Sequence, residues 1–274
     1  MRFSPAEVIA TNGHAWAVIR CSCNPADDED ALLAAAVALF REAYGEGRIL
    51  DLAADPGVVA TFDLEAITKA VRSSFPSTAA EGSKPSQLAN YRSEPAEIVA
   101  RGALKEVHDV HFPVSPQWSK ANPNMPILGF DGWGLRLKEG EWRLVLIQVK
   151  ATDDKNVPPR EAGTLKMECE RVPREPEKIT RVLCMLTKSL SGSPYLAPVL
   201  SMLQELGNGA MPKIAIAPVI VRGLTEAVME DLEPIQRVFR VSHSQSTCAL
   251  GLVMSIGLDL AEFGRLVVER ARAA

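Results

Sequence analysis

Asp131, Gln148 and Lys150 are polar side chains set into two segments that are otherwise almost continuously apolar. Their types suit one kind of chemistry. An aspartate carboxylate is a hard oxygen ligand for Mg²⁺ or Mn²⁺. The Gln148 side-chain oxygen and the Val149 backbone carbonyl can complete the protein's share of an octahedron otherwise filled by water and phosphate. A cation held there lowers the pKa of a bound water and neutralises phosphate charge. Lys150, beside the same phosphate, can orient or help deprotonate the water and stabilise the pentavalent transition state. The chemistry expected of such a set is phosphodiester hydrolysis; the competing account is a solvated sheet edge that happens to carry three polar groups.

A hairpin is what must bring these residues together. With Glu139-Gly140 as its two-residue turn, Lys138 faces Glu141, and counting back along both strands sets Asp131 opposite Gln148 and Lys150 opposite Gly129. Side chains alternate faces with period two and cross-strand partners share a face. The three polar groups therefore converge at one end of a face otherwise formed by Leu135, Leu137, Trp142, Leu144 and Leu146, with Gly129 leaving room beside Lys150. Just upstream, Ser93-Glu94-Pro95 predicts a helix start, Ser as N-cap and Pro in the first turn. Glu97, one turn in, is the preferred fourth member of the site. Glu94 competes with it, but an acid at the helix start is favoured by the dipole whatever its function.

The rest of the chain alternates strands and helices, which indicates an α/β fold with a mixed sheet flanked by helices. Residues 7–23 read as extended, 30–44 as a helix entered through the acids Asp27 to Asp30, 49–52 as a short strand and 63–73 as a second helix. Helices near 175–190 and 195–206, strands at 214–221 and 248–256, and a closing helix from Asp259 follow. Pro76, Ser77, Gly82, Ser83, Pro85 and Ser86 mark residues 76–92 as a connection. It divides an N-terminal α/β portion, 1–75, regulatory or partner-binding in role, from a core at 93–274.

Composition narrows the function classes. Of the 274 residues, 47% are hydrophobic and 23% charged, a globular balance rather than a disordered one. The five cysteines are odd in number and irregularly spaced, and the four histidines form no helical metal pair. No apolar run reaches bilayer length and no secretory leader opens the chain, so a cytoplasmic protein without membrane association is expected. A P-loop is absent. The net charge of −4 argues against nucleic-acid binding by bulk electrostatics alone. Arg160, Lys166, Arg171, Arg174, Lys178 and Arg181 could line a phosphate groove, but interspersed glutamates favour a mixed-charge surface. Asp153, Asp154 and Lys155 read as a solvated turn.

The order of these motifs, an acid on a helix, Asp on a strand, then Gln-x-Lys on the next strand, resembles the PD-(D/E)xK nuclease superfamily, over residues 93 to 152. Within it the chain is similar to the HamA-type effectors of Hachiman antiphage defence, through Ser93-Glu94-Pro95-Ala96-Glu97-Ile98 and Gly129-Phe130-Asp131-Gly132. That resemblance implies a restriction-endonuclease-like core and a metal-dependent deoxyribonuclease with DNA as substrate and a helicase-type partner. On it, Asp131, Gln148, Val149 and Glu97 hold Mg²⁺ or Mn²⁺, and Lys150 activates water. Two positions depart from the pattern. Phe130 stands where Pro often precedes the Asp, and Gln148 stands where most members carry Glu, which removes one charge. A catalytically weak nuclease-fold protein that binds DNA or scaffolds a partner is the alternative function. An unrelated α/β domain is the third reading.

Overall fold

Two tight turns organise the sheet. In the computed structural model, which describes residues 3–27, 29–57, 61–78, 90–119, 129–172, 175–241 and 247–273, Asn12-Gly13 and Glu139-Gly140 both take positive φ (51° and 82°; 55° and 79°). That conformation matches the twist of flanking strands and closes a two-residue hairpin. The first joins β1 (Pro5–Thr11) to β2 (His14–Arg20); the second joins β3 (Gly132–Lys138) to β4 (Glu141–Thr152). With β5 (Ile214–Arg222) and β6 (Thr247–Ser255) they form a six-stranded sheet in the order β1-β2-β6-β5-β4-β3. The four inner strands run parallel and each outer strand pairs antiparallel with its neighbour. Strands buried on both faces need apolar side chains throughout, and every residue of β5 and β6 is buried.

Helices α1 (Ala31–Ala43), α2 (Glu46–Ala53), α3 (Leu64–Ser73) and α4 (Glu94–His108) precede β3. Between β4 and β5 run α5 (Arg160–Arg171), α6 (Pro176–Ser189) and α7 (Leu196–Gly207); α8 (Glu233–Val241) precedes β6 and α9 (Leu260–Arg272) closes the chain. Asp30, Asp63 and Asp259 cap α1, α3 and α9 by accepting from Leu33, Ala66 and Glu262 backbone N–H groups. One face of the sheet (Val145, Ile147, Val149, Val219, Leu252) packs on α1, α4 and α9. The other (Leu135, Leu144, Leu146, Ile216, Val253) packs on α5 to α8. This is the α/β architecture of a mixed sheet flanked by helices that the strand–helix alternation predicts.

Several details differ from the sequence reading. The run at 49–52 is the middle of α2, because a four-residue apolar stretch fits one side of a helix as well as a strand. The extended stretch 7–23 is interrupted by the Asn12-Gly13 turn. Helices α5 and α8 were not expected. The N-terminal hairpin joins the sheet through the β2–β6 pairing, and α1 packs in the same core as α4 and α9, so residues on both sides of the 76–92 connection share one sheet.

Candidate active site

The β3–β4 ladder has the register counted from the sequence, with Lys138 opposite Glu141 and Gly132 opposite Ile147. It extends one residue further, where the Asp131 N–H donates to the Ile147 carbonyl at 3.1 Å. There Asp131 turns its carboxylate onto the sheet edge: Oδ2 accepts the Val149 N–H at 2.7 Å. In an extended strand the N–H and C=O of one residue point the same way, so the Val149 carbonyl also faces the Asp131 side. Gly129 is outside the ladder, with φ of 109°, so its role is conformational rather than that of a strand partner to Lys150. The expected strand runs from Ile127 to Leu137, and its start at 127–128 lies outside the described residues.

The glycines flanking Trp133 admit the elements that hold this edge. A Cβ on Gly132 would lie 3.0 Å from Arg101 Cδ, and one on Gly134 would lie 2.7 Å from Val110 Cγ1 and 2.8 Å from the His111 carbonyl. Arg101, on α4, therefore lies against Gly132 and donates to the Asp131 carbonyl at 3.0 Å and to Gln117 Oε1 at 2.7 Å. Gln117 donates to Glu94, which also accepts the Tyr44 hydroxyl at 2.7 Å. Glu94 is thus the buried anchor of a polar network.

Gln148 and Lys150 lie on the face covered by α5. Gln148 is 8% exposed. Lys150 Nζ lies 2.7 Å from Glu168 Oε1 on α5. The other oxygen of Glu168 is buried without a hydrogen-bond partner, as is Trp133 Nε1 on the same face. Burial pushes the Asp131 carboxyl above its ordinary pKa; the Val149 N–H and Lys150 pull it down, Glu168 pushes it up, and Arg101 pulls it down. These four partners define the space around Asp131. Glu97 is half-buried on α4, which packs on the opposite face from Gln148 and Lys150. Burial lowers the Arg101 guanidinium, and Glu97, Glu94 and Asp131 raise it. The structure places Asp131, Gln148, Val149 and Lys150 at one end of the β3–β4 hairpin and Glu97 on α4, one turn before Arg101.

Glu168 was not found from sequence, since the charged run at 160–181 was read as mixed-charge surface and no helix was expected at α5. The available signal was the apolar stripe Ala162, Leu165, Cys169 and Val172: a residue three beyond Leu165 must lie at the stripe's edge, next to the sheet. Asp153 and Asp154 do more than solvate a turn. Asp153 accepts the Leu260 N–H at the start of α9, and Asp154 the Arg160 N–H at the start of α5. Of the cations considered for a groove, Lys178 pairs with Glu175 at 2.9 Å, and Arg174 lies outside the described residues. Trp133 is buried, as a core residue should be.

Among the described residues, no three His, Cys, Asp or Glu side chains are grouped to hold a metal ion. The donors at this edge are one carboxylate, one amide and one backbone carbonyl. All are oxygen, a set that fits a hard cation able to keep most of its waters. Also among the described residues, no helix is long and apolar enough to cross a membrane. No protein-family model matches the chain, and no curated protein matches it.

Proposed function

We propose that this chain is a metal-dependent deoxyribonuclease of the PD-(D/E)xK type, acting in restriction or antiphage defence with a helicase-type partner. The observation that carries the reading is the Asp131 carboxylate fixed on the Val149 N–H, beside Gln148 and within the field of Lys150. Asp131, Gln148 and the Val149 carbonyl would hold Mg²⁺ or Mn²⁺. When bound, the cation supplies Lewis acidity toward a phosphate oxygen and the attacking water. Lys150 orients that water and places positive charge beside the phosphate as negative charge builds there. Arg101 keeps Asp131 in register by holding its carbonyl. The net charge of −4 gives no bulk attraction for a polyanion, which is why a partner is assigned the task of delivering DNA.

A nuclease-fold binding or scaffold protein is the second reading. It is favoured by the neutral side chain at Gln148 and by the pairing of Lys150 with Glu168. Incubating supercoiled and linear DNA with the purified chain in Mg²⁺ or Mn²⁺, beside folded Asp131→Ala and Lys150→Ala variants, separates the two. The nuclease reading expects metal-dependent cleavage reduced on the order of 10²-fold or more in each variant. Metal-dependent DNA binding without cleavage, with or without a partner present, favours the scaffold. Cleavage unchanged in both variants rejects the site.

A further inference from the structure

We propose that Glu168, on α5, is the second carboxylate of this site, supplying from a helix the negative charge that Gln148 lacks on the strand. The proposal rests on the metal-site reading above and deepens it.

Charge count comes first. Asp131 and Lys150 cancel, and Gln148 and the Val149 carbonyl are neutral, so the strand residues alone offer a cation no net attraction. Affinity for hard divalent ions is set largely by the number of charged oxygen ligands. Helix α5 lies across β4, and the Leu165–Cys169 stripe that seats it there turns Glu168 toward the strand. Glu168 Oε1 is 2.7 Å from Lys150 Nζ, while Oε2 is buried and without a hydrogen-bond partner. A carboxylate oxygen withdrawn from water and left unpaired is costly, and a cation would satisfy it. Gln148 and Lys150 share one face of β4 at the Asp131 end of the hairpin, so the pairing with Lys150 sets Glu168 over that same end. Gln148 opens onto that face and is more than nine-tenths buried. An acid, an amide and a second acid thus approach one space, and the ammonium of Lys150 stands in it where a divalent ion would compete for Glu168.

If Glu168 served only as an ion-pair partner for Lys150, its removal would act only through the uncompensated ammonium. Glu168→Gln would then leave Mn²⁺ affinity unchanged in a Lys150→Met background, a result that would overturn the proposal. Titrating the full chain with Mn²⁺, with free ion followed by electron paramagnetic resonance and the fold by circular dichroism melting, distinguishes the cases. The isosteric Glu168→Gln is expected to weaken Mn²⁺ binding by about tenfold or more, at least the effect of losing an outer-shell partner. The double variant Gln148→Glu with Glu168→Gln, which moves the charge back to the strand, is expected to recover affinity. Binding in Glu168→Gln equal to wild type, while Asp131→Asn abolishes it, overturns the role of Glu168 and leaves the underlying site intact. A loss that the double variant does not recover also overturns it, since the role would then be shape rather than charge. No Mn²⁺ bound by the wild type, or binding indifferent to Asp131→Asn, overturns the site itself and Glu168 with it.

Discussion

Asp131 commits one carboxylate oxygen to a backbone N–H and faces Lys150 and Glu168 as charges, whereas the buried His108 shows the same physics acting without a site. His108 ends α4 and donates from Nε2 to the Gly251 carbonyl at 3.1 Å. Burial pulls its pKa down to about 4; the hydrogen bond to Gly251 opposes this and Arg136 adds to it. An unfolded histidine titrates near 6.5, so between about pH 6.5 and 4 the unfolded chain takes a proton that the folded chain refuses. Stability held at neutral pH is therefore lost as pH falls through that window, by about 2 kcal/mol at pH 5. Urea unfolding of wild type and His108→Gln at both pH values is the check. The variant, able to keep the Gly251 bond without titrating, should lose that much less on acidification, and equal losses would refute the assignment. The burial of His108 was not legible from sequence, because Gly251 lies far along the chain on β6.

At the scale of elements, the β3–β4 register could be counted because a two-residue turn containing glycine fixes it, and period two then places every side chain. The limit of that logic is what crosses the strand from elsewhere. Nothing local to Gly134 announces that residues 110–112 run against it, with His111 and Leu135 exchanging backbone hydrogen bonds at 2.8 and 2.9 Å. Gly134→Ala should therefore destabilise by about 1–3 kcal/mol through overpacking against a backbone carbonyl. Gly163→Ala, on the exposed side of α5 with open space at its Cβ, should instead stabilise by up to about 1 kcal/mol. Urea midpoints of the two variants test the contrast; similar values would mean that the crossing segment yields easily. The same limit hid Glu168: α5 was not expected, and a helix that is charged on its outer side reads as surface until the strand it covers is known.

For the whole molecule, strand–helix alternation sufficed to give an α/β sheet, since buried parallel strands must be apolar and their crossovers must be helices. It did not give the order of the strands. The N-terminal hairpin closes on β6, the last strand in sequence, so the first and final thirds of the chain meet in one sheet although a connection at 76–92 lies between them. That arrangement makes β3–β4 one outer hairpin and β1–β2 the other, and leaves the Asp131 end of β3 held by α4 on one face and α5 on the other. The central claim is that a divalent cation belongs at that end, on Asp131, Gln148 and the Val149 carbonyl. Anomalous scattering from Mn²⁺ soaked into crystals of the chain tests it most directly. The account predicts a peak at coordination distance, about 2.1–2.4 Å, from the Asp131 carboxylate, lost in Asp131→Asn crystals. A peak confined to other side chains, or none in crystals of a chain that cleaves DNA, would contradict it.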